Sequence, residues 1–470
     1  MQRSFGTVAE FGLILLAIGS PAAVGGVHRV TVVIACLMAC LTILAVWWHR
    51  RDTSRGLRLP WFGAVLLGAA AYTAVQLVPL PLELLRFLAP ETVDLLMVSF
   101  APLRGPDGWH PISLDPTATQ WEVVKLGTCA LALIAAHNNL YRRGRRDRLL
   151  IVLVAGGALL TVLGFLGAVA APGRALMLYE PQVRAVSGLI TTSFVNPNHA
   201  AAFFVLCTLI AVGLAATSRD LQQRVLLGFC SVLLGLSVFL SLSRGGIIAL
   251  GVALGVFATL FAVDPEVRGS ARTRAAVLVP GGAALILLLS GWLAFDAIIA
   301  EFQQAIPELG SDLGKIALWP PGVAMLLANP WVGVGRGAFA TAFPRYLDRQ
   351  LSHHTTFSHL ENQYLHLPIE WGLLVGAVVI GASAVALVQW YRRGRRDALS
   401  MAMVAGLVAL RRTTCSISTS RSSAWRFPRR SWRGCSPPGP LRRRDGTGRR
   451  RASTAGERAG RPFGARFTAG

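Results

Sequence analysis

His359, Glu361 and Asn362 lie within four residues of one another in FSHLENQYLHLPIEWGLLVG (357–376), where a polar stretch, 297–366, meets a strongly apolar one. An imidazole or a carboxylate at such a water–lipid boundary can take a proton from an acceptor hydroxyl. His359 suits that task because its ordinary pKa is near neutrality. Glu361 could serve instead, or could orient the histidine. Asn362 reads either as a helix cap or as a polar contact for substrate. His353, His354 and His366 stand close in sequence. Their spacing matches no zinc pattern and there is no HExxH, so we expect acid–base chemistry without a metal and without a cofactor.

Three arginines could supply the complementary charge. Arg184 lies in VRAVSGLITTSFVNPNHAA, Arg244 in SLSRGG and Arg336 in GVGRGAF. A lone arginine at a helix end commonly reaches to lipid headgroups. Three on one side of a membrane could form a diphosphate clamp, because guanidinium stays charged and binds phosphate oxygens in pairs. Gly333, Gly335 and Gly337 around Arg336 would let the backbone approach a ligand closely, and Gly245 and Gly246 would leave room for a headgroup beside Arg244. Asn196 followed by Pro197 reads as a helix start. The next two residues, Asn198 and His199, could contact sugar hydroxyls, or could belong only to the cap.

The elements that must hold these groups are apolar helices. The chain has 470 residues, of which 53% are hydrophobic and 15% charged, and its mean hydropathy is +0.53. Such a composition belongs to polytopic membrane proteins. Spans are expected near 7–25, 29–48, 60–80, 122–140, 149–171, 197–216, 225–241, 246–263, 275–296 and 366–390, with a last one starting near 398. We therefore expect an all-α fold of about 10–11 transmembrane helices. Basic clusters at His49–Arg58, Tyr141–Arg148, Ser218–Arg224, Asp264–Arg274 and Tyr391–Asp397 mark cytoplasmic loops. The opposite, extracytoplasmic side then receives 81–121, 172–196, the turn 241–245 and the long loop 297–366.

The net charge of +23 does not indicate nucleic acid, because it is unevenly placed. Residues 411–470 hold sixteen arginines against Asp445 and Glu457, and the preceding 410 residues hold 30 basic against 21 acidic groups. Nothing in this Arg-rich tail can bury a core, so disorder is expected there. Its composition, and the short apolar stretch before it at 398–410, suggest a frameshift product; Cys415–Ser422 can be back-translated so that another frame reads Leu-Asp-Phe-Asp-Leu-Glu-Ile. The seven cysteines form neither a metal pattern nor a disulfide framework. There is no Walker A, no GxGxxG after a strand, no GxSxG and no paired aspartates for a sugar nucleotide. The substrate should therefore arrive already activated in the membrane.

PISLDPTATQWEVVKLG (111–127), SFVNPNHAAAFF (193–204), SLSRGGIIAL (241–250), NPWVGVGRGAF (329–339) and HLENQYLHLPIEWGLLVG (359–376) together resemble the O-antigen ligase and polymerase superfamily, the Wzy/WaaL type of bacterial envelope glycosyltransferase. The likeness covers residues 10–410. It implies a GT-C-like helical membrane fold over 1–410 and metal-independent glycosyl transfer at the extracytoplasmic face of the inner membrane. The implied donor is a glycan on undecaprenyl diphosphate. The acceptor would be lipid A core, a growing polysaccharide or a protein. Many relatives carry a histidine directly before the asparagine of the last motif; here that place holds Glu361, with His359 three residues before Asn362. A lipid-linked glycan flippase is the competing class, and an inactive truncated member a third. Transporters place ionisable groups at mid-membrane depth and show internal repeats. Lys125 and Asp296 instead lie near span ends, and no repeat is visible.

Overall fold

The structure, a computed structural model, describes residues 2–26, 28–52, 56–100, 108–180, 189–190, 192–263, 270–303, 316–347, 357–360, 362–394 and 398–413. Among these residues it is almost entirely helical. In order the helices are α1 (Gln2–Ala22), α2 (Arg29–Asp52), α3 (Trp61–Val75), α4 (Leu82–Leu88), α5 (Pro90–Phe100), α6 (Pro116–Asn139), α7 (Arg143–Ala170), α8 (Pro197–Thr217), α9 (Leu221–Leu240), α10 (Arg244–Val263), α11 (Ser270–Gln303), α12 (Trp319–Ala328), α13 (Phe339–Ala342), α14 (Gln363–Gly394) and α15 (Ala398–Thr413). One two-residue antiparallel ladder pairs Leu80–Pro81 with Trp109–His110.

Each of the eleven apolar stretches expected from the sequence falls in a helix, with 60–80 helical only to Val75 and 366–390 broken at Gly372. Seven described helices are long and apolar enough to cross a membrane by length and composition: α1, α2, α7, α8, α9, α11 and α14. The apolar parts of α3, α10 and α15 are shorter, as is that of α12 within the 297–366 segment. The chain is thus an all-α, multi-pass membrane protein. Its outward faces carry the exposed Leu, Val, Phe and Trp side chains that a bilayer, unlike water, accepts, such as Leu44, Phe229, Leu288 and Leu374.

α8 is the central element, with 78% of its apolar stretch buried, against 17% for the outer part of α11. Lipid is as apolar as leucine, so helices in a bilayer gain little from hiding leucines and much from close contact through small residues. Ala200, Ala201, Ala211, Ala215 and Ala216 of α8 are all buried. A Cβ on Gly213 would stand 2.8 Å from the Leu399 Cα, so α15 seats directly on α8. Leu399, Met401, Ala402 and Ala405 are accordingly core residues. Gly246 serves the same purpose on α10: the space expected for a headgroup beside Arg244 is taken by Ala201, 2.3 Å from where a Cβ would sit. Residues 414–470, the Arg-rich tail, lie outside the described residues.

The ends of the bundle differ. Glu10 near the start of α1 pairs with Arg148 at 2.7 Å and Arg145 at 3.5 Å. Arg50 donates to the Asn138 carbonyl at 3.1 Å, and the Arg58 N–H donates to the Asn138 side chain at 2.9 Å. Two of the basic clusters and the start of α1 therefore share one end with the C-terminus of α6. The other end of α6 begins at Asp115, which caps it by accepting from the Ala118 N–H at 3.0 Å.

At that second end α14 is broken. Gly372 takes φ 81° and ψ 163°, which no helix contains. The break frees the carbonyls of residues 369 and 370, and the loop 329–337 takes them. The Val334 N–H donates to the Ile369 carbonyl at 3.1 Å and the Gly335 N–H to the Glu370 carbonyl at 3.2 Å. The Leu373 N–H returns to the Pro330 carbonyl at 2.8 Å. Loop and helix are thus stitched by backbone, as buried peptide groups require. A Cβ on Gly372 would lie 2.0 Å from the Trp331 carbonyl oxygen. Gly372→Ala should therefore lower the melting temperature in detergent sharply, since positive-φ strain alone costs about 1–3 kcal/mol. Gly381→Ala in the same helix, where a Cβ would meet nothing within 4 Å, should leave it unchanged. Equal melting of the two variants would contradict the broken-helix geometry.

Candidate functional site

Four elements converge beside the break: the C-terminal end of α3, the N-terminal end of α6, the loop 329–337 and the start of α14. Gln76, just past α3, is fully buried and spends its whole amide on the loop and α14. Its Nε2 donates to the carbonyls of Val332 and Glu370, both at 2.9 Å, and its Oε1 accepts from the Arg336 N–H at 3.0 Å. From α6, the Thr119 hydroxyl donates to the Arg336 carbonyl at 2.6 Å. The Leu114 N–H donates to the Val334 carbonyl at 3.1 Å. Trp371 is anchored to α3 by its Nε1, which donates to Thr73 Oγ1 at 3.0 Å.

Inside this frame Arg336 is held by two carboxylates. Its Nε faces Glu122 Oε2 at 3.1 Å, and its Nη1 bonds Glu370 Oε2. Its guanidinium also lies 5.0 Å from the Trp371 ring centroid, a favourable cation–π placement. Burial works against the charge of Arg336, but Glu370 and Glu122 outweigh it and hold its pKa above the ordinary arginine value. Glu370 is the more deeply engaged acid. Its Oε1 accepts from the Gly337 N–H at 2.8 Å and faces His366 Nε2 at 3.3 Å. His366 Nδ1 accepts from the Leu360 N–H at 3.4 Å, which assigns the imidazole proton to Nε2. Both nitrogens of this buried histidine are thus engaged.

His359 sits outside that network. Its ring is exposed, and it stacks on His366 with centroids 5.5 Å apart and 25° between planes. Its Nδ1 lies 3.0 Å from Ser358 Oγ. Loss of water on its inner side, followed by the nearby His366 and then Arg336, lowers its pKa to about 4. It is therefore neutral at physiological pH. Asn362 caps α14, accepting from the N–H groups of Tyr364 at 3.1 Å and Leu365 at 3.4 Å. Glu361 lies outside the described residues.

The remaining expected site residues stand on other elements. Arg244 begins α10 and pairs with Glu301 of α11 at 3.3 Å. Asn198, in the first turn of α8, accepts from the Ser243 hydroxyl at 2.6 Å, which ties it to the turn that carries Arg244. Asn196 caps α8 as the sequence suggests, accepting from the Asn198 N–H at 3.0 Å, and His199 is exposed beside it. Arg184 lies outside the described residues, as do His353 and His354. Among the described residues no three His, Cys, Asp or Glu side chains gather as a metal site.

The structure also changes how two sequence features read. The glycines around Arg336 do approach something closely, but it is protein. Gly333 abuts the Glu370 backbone and Gly335 abuts Ser113, each with a would-be Cβ within 2.6 Å. The acids that hold Arg336, Glu122 and Glu370, were missed by sequence reasoning, as was Gln76. One signal was present: Glu370 is an ionisable residue inside an apolar helix, where charge is expensive and marks partners.

The expected order of stability follows from these contacts. Glu370→Ala removes the main counter-charge of a buried guanidinium, a change that costs about 3–5 kcal/mol. Glu122→Ala leaves Arg336 paired with Glu370 and should cost less. Thermal melts of the purified variants check this ranking, and the reverse order would refute it.

No curated protein matches the chain. Residues 229–380 match a family model, Wzy_C, described as O-antigen ligase, and that segment contains Arg244, Arg336, His359, Glu361, Asn362, His366 and Glu370. About a third of this multi-pass membrane protein, residues 229–380, is therefore similar to the O-antigen ligase family.

Proposed function

We propose that the protein transfers a glycan from undecaprenyl diphosphate to an acceptor hydroxyl at the extracytoplasmic face of the inner membrane, as an O-antigen ligase or as a polymerase of O-antigen or exopolysaccharide. One observation carries the reading. The guanidinium of Arg336 is joined through Glu370 to His366, on which the neutral imidazole of His359 stacks, at the end of α6 remote from the basic clusters. The positive-inside rule assigns that end to the extracytoplasmic side.

In this reaction the acceptor oxygen forms a bond to the anomeric carbon while the bond from that carbon to the diphosphate oxygen breaks. The electron pair stays on the diphosphate, and the hydroxyl proton moves to His359. His359 is the better candidate base because His366 has both nitrogens occupied; Glu361 remains the second candidate. Diphosphate is a good leaving group and needs charge neutralisation more than protonation, which Arg336, Arg244 and Arg184 are suited to provide. Asn198, His199 and Asn362 are candidates for contacts to the glycan. The acceptor would be lipid A core, a growing polysaccharide or a protein, and no metal or cofactor takes part.

With purified lipid-linked donor, His359→Ala should reduce transfer by about 10²-fold or more, the usual weight of a general base, while donor binding persists. Arg244→Ala and Arg336→Ala should each abolish transfer with membrane insertion intact; wild-type rates in both would remove the phosphate-binding role. Transfer should persist in EDTA, and loss rescued by a divalent metal would overturn the metal-free mechanism. The acid limb of the pH–rate profile provides a separate check. A base whose pKa is lowered to about 4 stays unprotonated until the pH nears that value, so the rate should hold from pH 7 down past pH 5. A limb near the ordinary histidine value of about 6.5 would contradict the lowered pKa of His359.

A further inference from the structure

Glu122 occupies a position that an anionic substrate would otherwise take. Its carboxylate stands between two cations, facing Arg336 Nε at 3.1 Å on one side and bonded to Lys125 on the other. We propose that Glu122 is a displaceable internal counter-ion, and that the diphosphate of a lipid-linked substrate replaces it between Arg336 and Lys125. This rests on the reading of Arg336 as a phosphate-binding residue and adds to it the seat beside Arg336, a further cation, Lys125, and the group that must leave.

The charge balance requires some such step. Arg336 and Lys125 are matched by Glu122 and Glu370, so the closed cluster is neutral. A diphosphate entering it would meet two carboxylates, and an uncompensated like charge in a partly buried site costs several kcal/mol. One acid has to move. Glu370 is fixed: its side chain is 2% exposed and is held by Arg336, by His366 and by the Gly337 N–H. Glu122 is 15% exposed and is held only by the two cations among the described contacts. Lys125 is 48% exposed, and ion pairs that reach so far into solvent contribute little. Glu122 is therefore the acid that gives way.

The same geometry says why a diphosphate fits. Lys125 lies one helical turn from Glu122 on α6, facing outward, whereas Arg336 lies inside. An anion with two phosphoryl groups can engage the inner guanidinium and the outer ammonium together, which a single phosphate does less well. A further cation stands near the outer end of this pair. Arg29 lies over the ring of Trp121, one turn from Lys125 on the same helix, at 5.4 Å from the centroid.

The test uses the full chain in detergent, with farnesyl diphosphate and farnesyl monophosphate as probes, and reads affinity by calorimetry. Glu122→Gln should bind the diphosphate about tenfold more tightly than wild type, as removal of a competing like charge predicts. Lys125→Gln should bind it several-fold more weakly, and wild type should prefer diphosphate to monophosphate. A Glu122→Gln affinity equal to or weaker than wild type would overturn the displacement while leaving the phosphate-binding reading of Arg336 in place. Unchanged affinity in Lys125→Gln, an exposed position whose loss leaves the fold intact, would overturn it as well. Failure of wild type and both variants to bind any prenyl diphosphate would instead remove the underlying reading of Arg336.

Discussion

A guanidinium and a carboxylate buried together set the terms for everything around them. Arg336 and Glu370 leave water as a pair, and the attraction between them repays that only if their remaining hydrogen-bonding groups are also satisfied. The fold meets this demand with groups from several elements. Glu122 takes the Arg336 Nε, the Gly337 N–H and His366 take the second oxygen of Glu370, and Gln76 closes the backbone on both sides. The helix break at Gly372 belongs to the same solution. It exposes the carbonyls of 369 and 370 to the loop that carries Arg336, so the loop is fixed by backbone before its side chain is placed.

This arrangement leaves a graded site. The inner side is rigid, because each polar atom of His366 and Glu370 is spoken for. The outer side is looser, with Glu122, Lys125 and His359 in contact with solvent. The proposed glycosyl transfer would use both properties. A fixed positive centre must meet charge that develops on the leaving group, and an accessible base must meet acceptors of varied shape. The interior acid Glu370 is a positioning residue in this view, acting through Arg336 and the loop rather than on substrate.

Much of the architecture was legible beforehand, for local reasons. Every apolar stretch read from the sequence falls in a helix, because a spanning segment must satisfy its own peptide groups and leaves little choice of conformation. Asn196 with Pro197, and Asn362, cap the helices they precede, since capping needs only a side chain and the next few N–H groups. The segment 357–376 was legible as a place and not as a network. His359 and Asn362 fall where they were expected at the mouth of α14, and Arg336 falls at the same end of the bundle. Of the three arginines, Arg184 lies outside the described residues, and the other two have different partners. Arg244 is paired with Glu301 on α10 and α11, while Arg336 answers to α6 and α14.

By itself the sequence determined the apolar helices, two of their caps and the basic clusters between them. These follow from hydropathy, charge and hydrogen bonding within a few residues. Only the tertiary structure decided the partners of Arg336. Glu370 is 34 residues away and Glu122 is 214 away, and Gln76 reaches Arg336 across 260. No local pattern encodes such pairings, since they depend on which helix ends meet and on a break in α14 that turns two carbonyls outward. Burial then converts them from ordinary polar residues into obligatory partners, because an unpaired charge at that depth costs more than the fold can spare.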